Sequence, residues 1–105
     1  MPYNMNGIEL AQKVIEKYGT FNVFSIAQQA HIKVIYEHWQ MVTYGEFDKK
    51  DLSIHINLNA PIDKERILVH ELGHYFIHQF GVDLNKIEEE KMVQDFTDFM
   101  QTHCP

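Results

Sequence analysis

Residues 67–78 read ILVHELGHYFIH, and within them His70, Glu71 and His74 stand at the spacing H-E-x-x-H. Imidazole nitrogens bind divalent metals and carboxylates carry protons, so this pairing of types points to metal-assisted hydrolysis. On a helix, His70 and His74 fall on one face about one turn (~6 Å) apart, close enough to share an ion. Glu71 lies one residue round. In this arrangement it does not ligate; it accepts a proton from a metal-bound water and later delivers it to the leaving amine. Zinc is the cofactor expected, because it lowers the pKa of that water towards about 7. Gly73 costs such a helix about 1 kcal/mol against alanine, which is easier to explain if something approaches the backbone closely there. The plain alternative is an amphipathic helix rich in histidine, since the chain has 7 His in 105 residues.

Two histidines and a water leave a catalytic zinc one protein ligand short. The last helical segment offers Glu88, Glu89, Glu90, Asp95 and Asp98. At 100° per residue, Met92, Val93, Phe96, Phe99 and Met100 define its apolar face. Glu89 falls inside that face, Glu88 and Asp95 lie at its margin, and Glu90 and Asp98 point well away. A carboxylate on a core-facing stripe is expensive unless it is paired or bound to metal. Glu89 is therefore the first candidate for third ligand, followed by Asp95 and then Glu88. The competing view is that the three glutamates are a solvated run favoured by the dipole at a helix N-terminus.

Further candidates surround the motif. His78 continues the four-residue series and either faces the cleft or caps free carbonyls in the last helical turn. Tyr75 can donate to a developing oxyanion or simply pack. His55 and Asn57 lie on the polar side of a strand that can pair with an extended substrate, or are plain strand residues. Trp39, Tyr36 and Tyr44 suggest core or hairpin packing.

The elements that must position these residues follow from periodicity. Ile8, Leu10, Ala11, Val14, Ile15 and Tyr18 recur at helical spacing before Gly19, and a shorter helix is expected over Val23–Ala30. Ile32–Glu37 and Leu52–Leu58 are rich in β-branched residues, and the second alternates apolar with polar. A third strand around Met41–Tyr44, with Gly45 and residues 48–51 as turns, completes a small antiparallel sheet. The motif helix should run from about Asp63 to Phe80, stopped by Gly81. A last helix follows over Leu84–Thr102 with Asp83 as its cap, and the two pack as an antiparallel pair. The layout is α+β in a single domain over residues 1–105.

Composition narrows the setting. A chain that is 45% hydrophobic and 23% charged reads as an ordinary globular protein, and its net charge of -6 disfavours direct nucleic-acid binding. The opening MPYNMNGIEL lacks a secretory pattern, no apolar run reaches membrane-spanning length, and Cys104 is a single cysteine, so a cytoplasmic location away from the membrane is expected.

The motif helix together with the preceding LSIHINLNAPIDKER resembles the ImmA/IrrE-type metallopeptidases, a gluzincin-like group common in phages, mobile elements and bacteria. The resemblance is strong over the strand and the last two helices and weaker over FSIAQQAHIKVIYE. It implies a small zincin fold, one zinc, and cleavage of a protein regulator such as a DNA-binding repressor. His70 and His74 match the family's ligands and Glu71 its general base. The last helix departs from the pattern: with Phe96 matched to the family's phenylalanine, Met92 occupies the expected ligand place. Glu89 or Asp95 can substitute there. Otherwise the chain is a weak or inactive member that sequesters a regulator without cutting it.

Overall fold

The computed structural model describes residues 5–40 and 43–103. Helix α1 (Gly7–Tyr18) starts at Asn6, whose side chain accepts from Glu9 N at 2.8 Å while Glu9 accepts from Asn6 N at 3.2 Å. This reciprocal cap satisfies two of the donors that every helix leaves unpaired at its start. The helix ends where Gly19 turns left-handed at φ 71°. Helix α2 (Val23–Gln29) is capped in turn by Asn22, which accepts from Phe24 N and Ser25 N.

Three strands follow, β1 (Lys33–Glu37), β2 (Gly45–Asp48) and β3 (Ser53–Asn57). Their order is β1-β3-β2, with β2 antiparallel to β3 and β1 parallel to it. The sheet is thus mixed, not antiparallel as expected. Residues 49–52 make a tight return from β2 to β3, whereas the chain leaving β1 crosses to the far side of β3 before turning back. That crossing is fastened by the buried Asn57, whose Nδ2 donates to Thr43 O at 3.1 Å while its Oδ1 accepts from Asn59 N at 3.0 Å. Gly45 lies inside β2 and is not a turn residue, and Tyr44 precedes the strand. Met41 and Val42, where a strand was expected, lie outside the described residues.

Helix α3 (Lys64–Gln79) and helix α4 (Lys86–His103) run antiparallel, as anticipated. Asn85 and Glu88 cap α4 reciprocally, at 2.9 Å and 3.0 Å, in the role expected of Asp83. The core between helices and sheet contains Leu10, Ile54, Ile56, Leu72, Phe76 and Phe96, each almost completely buried. Each such side chain contributes roughly 1.5–3 kcal/mol through burial, so α3 is held firmly on both sides. Gly73 proves to be a packing glycine: a Cβ there would meet Phe96 Cδ2 at 3.1 Å and Val93 Cγ1 at 3.2 Å. The close approach inferred from its sequence position is that of α4. Among the described residues no helix is long and apolar enough to cross a membrane.

Candidate metal centre

Four-residue spacing puts Arg66, His70, His74 and His78 in one stripe along α3. α4 returns beside it with Glu90, Gln94 and Asp98 at the same interval in the opposite direction. The two rows meet rung by rung. Arg66 Nη2 donates to Asp98 Oδ1 at 3.0 Å, His70 Nε2 lies 3.9 Å from Glu90 Oε2, and His74 Nε2 lies 3.3 Å from Glu90 Oε1. Glu89 reaches round to His74 Nδ1 at 2.5 Å and to His78 Nε2 at 3.3 Å.

His70, His74 and Glu90 each offer a donor atom, and these atoms all lie within 4.8 Å of one another. Zinc bonds of about 2.0–2.1 Å in a tetrahedron set ligand atoms about 3.3 Å apart. The His74–Glu90 pair is already at 3.3 Å, and the others need to close by an ångström or so, within the reach of an exposed glutamate side chain. Two imidazoles and one carboxylate also suit zinc chemically.

The hydrogen bond on the far side of the His74 ring strengthens the fit. A neutral imidazole has one N–H, and the 2.5 Å contact assigns it to Nδ1, donating to Glu89. Nε2 then turns its lone pair towards a carboxylate oxygen of Glu90 at 3.3 Å. Two lone pairs at that separation call for a cation beside them, either a metal ion or an added proton. Glu89 stands where a carboxylate behind a ligating histidine stands elsewhere, fixing the tautomer and leaving Nε2 turned towards Glu90. Burial, reinforced by neighbouring His74, lowers the pKa of His70 and favours the neutral form that binds metal.

These contacts revise the expected ligand order. Glu89 does sit on the core side of α4, with 18% of its side chain exposed, but it holds Nδ1 of a histidine instead of joining the two Nε2 atoms. Glu90 and Asp98, expected to point away, also meet the α3 stripe. Asp95 accepts from Lys91 at 3.0 Å on another flank, and Glu88 is used in the helix cap. Met92 is buried in the core.

Beside the histidines opens a cleft of about 370 Å³. His70 and Glu71 line it, Ile62 and Ile67 supply apolar wall, Arg66 and Gln94 supply polar wall, and Tyr44 and Gly45 close the sheet side. A Cβ on Gly45 would stand 2.6 Å from Ile67 Cγ2 and 3.3 Å from Glu71 Cγ, so glycine lets β2 lie against the motif helix here. The pKa of Glu71 is raised from its ordinary value, chiefly by burial, with His74 opposing the effect and the charges of Glu90 and Glu46 adding to it. A carboxylate so placed holds a proton more readily than a solvated one, which suits a group that accepts and returns one.

Three other candidates lie elsewhere. β3 is the middle strand, with both edges paired, so it cannot receive a substrate strand; Ile54 and Ile56 face α3, which turns His55 to the opposite face of the sheet. There His55 Nδ1 contacts Glu37 Oε1 at 2.6 Å and Nε2 contacts Ser53 Oγ at 3.1 Å. Tyr75 packs edge-on against Phe47, ring centres 5.4 Å apart, and lines a separate groove together with His78. His78 meets Glu89 as described. Tyr36 and Tyr44 are exposed and do not join the core.

Sequence reasoning missed Glu90, Arg66 and Gln94. The signal available was the matching spacing of 66-70-74 and 90-94-98 once the two helices are taken as antiparallel. In comparisons with protein-family models, curated proteins and solved structures, nothing matches this chain.

Proposed function

We propose that the chain is a small zincin-like, zinc-dependent endopeptidase. The reading is carried by one observation: an H-E-x-x-H helix whose two histidines converge with a carboxylate from the neighbouring helix, beside a cleft that also holds the motif glutamate. His70, His74 and Glu90 would hold the zinc, with Glu89 orienting His74. Zinc, when bound, acidifies a water molecule and polarises a substrate carbonyl. Glu71, at the wall of the cleft, takes a proton onto its carboxylate and returns it to the leaving amine. The apolar side chains of Ile62 and Ile67 keep that wall dry, and Tyr44 with Gly45 borders the path of an extended peptide. By the resemblance of the motif helix and its preceding strand, the substrate proposed is a protein regulator such as a transcriptional repressor.

The test has two readouts. Protein incubated with zinc and then freed of excess metal should retain about one ion per chain, and it should cut members of a repressor panel. Glu71→Gln should keep the ion and lose cleavage. Cleavage at the wild-type rate by Glu71→Gln would sink the mechanism. Capture of a repressor by wild type and variant alike, with no cut in either, would favour the sequestering role instead.

A further inference from the structure

Arg66 is the only arginine in the chain, and it lines the same cleft as His70 and Glu71. It stands one turn before His70 on the same stripe, so the two side chains leave the helix about 6 Å apart. The other ionisable groups lining that cleft are Tyr44, His70 and Glu71, which leaves Arg66 as its one permanent cation among the described residues. Its surroundings already demonstrate what it binds. The carboxylate of Asp98 accepts from Arg66 Nη2 at 3.0 Å and from Gln94 Nε2 at 3.2 Å, and Gln94 lines the cleft too. The contact to Asp98 is single, and both side chains are substantially exposed, at 39% and 57%. A guanidinium has five N–H donors in a planar fork, so donors remain for a second carboxylate. Among the described residues, the one other carboxylate lining the cleft is that of Glu71.

We infer that the cleft selects a substrate bearing a carboxylate within a residue or two of the scissile bond, held by Arg66 and Gln94. Extended peptide advances about 3.3 Å per residue, so one helical turn corresponds to roughly two residues. The inference rests on the peptidase reading for its register but on Arg66 for its chemistry. The carboxylate is either an acidic side chain or a free chain terminus.

Matched probes separate these possibilities and do not depend on turnover. Zinc-treated protein is titrated with the hydroxamates of aspartic acid and of asparagine, then with a free-acid tripeptide and its amide. Affinity is read by calorimetry. The Nε–Hε cross-peak of the single arginine is followed by NMR. The aspartyl probe should bind at least about tenfold more tightly than the asparaginyl one and should move the arginine signal. Arg66→Gln should abolish that ratio, and Arg66→Lys should restore part of it. A preference for the free-acid tripeptide in place of the aspartyl hydroxamate assigns the site to a chain terminus. Equal binding of every acidic and neutral pair, with a stationary arginine signal, overturns the proposal. If the hydroxamates ignore zinc, the peptidase reading fails by itself: the same titration on metal-free protein still decides the carboxylate site, by whether acidic probes alone shift the arginine.

Discussion

The contrast between Glu89 and Glu90 is the sharpest test of the metal centre. Glu90 faces the Nε2 atoms of both histidines, whereas Glu89 touches His74 only through Nδ1. Removing a carboxylate behind a ligating histidine typically lowers metal affinity 10–100-fold, or about 1.4–2.7 kcal/mol. Glu89→Ala should therefore weaken zinc binding by that factor and no more. Glu90→Ala removes one of three protein donors and should exceed it, leaving a two-histidine site. Glu89→Gln keeps an amide oxygen able to accept from Nδ1–H, so it should recover most of the loss. Asp95→Ala and Glu88→Ala should leave zinc affinity unchanged, because Asp95 is paired with Lys91 and Glu88 with the start of α4. The assay is competition for zinc against a chromophoric chelator at fixed pH, with thermal unfolding of each metal-free variant as the control for folding. Loss of zinc in Glu89→Ala with retention in Glu90→Ala would refute the tautomer argument and make Glu89 the ligand.

Further outcomes follow from the packing. Gly7→Ala would place a Cβ 2.5 Å from Met92 O and 2.6 Å from Phe96 N, backbone atoms that cannot swing aside. Against alanine's usual advantage in helices, it should lower stability by about 1–3 kcal/mol in urea titration. Asn57→Ala strips partners from Thr43 O in the crossing after β1 and from Asn59 N just after β3, and should cost about 1–3 kcal/mol by the same measurement. Asp98 has its pKa lowered, first by the hydrogen bond from Arg66 and then by that from Gln94. Its stabilising contribution is therefore complete above its unfolded pKa and disappears as pH falls through the lower folded value. Because both partners are exposed, the contribution is at most about 1 kcal/mol, and Asp98→Asn should match wild type in stability only in strong acid.

Legibility from sequence tracked how local each determinant is. α1 was readable to the residue because its apolar spacing and Gly19 are local signals, and Gly19 does adopt the left-handed conformation. The extents of α2, α3 and β3 came within a residue or two for the same reason. Strand direction was not readable, since the parallel pairing of β1 with β3 depends on a crossing whose fastener, Asn57, looks like any polar strand residue. His55 was placed beside the motif by its nearness in the chain, but alternation along β3 puts it on the other face of the sheet once Ile54 and Ile56 take the core.

The two neighbouring carboxylates, Glu89 and Glu90, carry a more general lesson about helix faces. Ranking acidic residues of α4 by closeness to the apolar stripe assumes that a metal site lies where the core lies. Here the histidines stand on the flank of α3, His74 with 22% and His70 with 34% of the side chain exposed, at the rim of the helix pair and open to the cleft. A ligand for them must come from the flank of α4, the row 90-94-98, while a glutamate nearer the core approaches the same histidine from behind. On the proposed reading, burial marks the orienting carboxylate and exposure the coordinating one. A site that must admit substrate has to keep its metal at the edge of its hydrophobic core, so a carboxylate at the polar margin of a helix, in register with a histidine pair, outranks one in the apolar face.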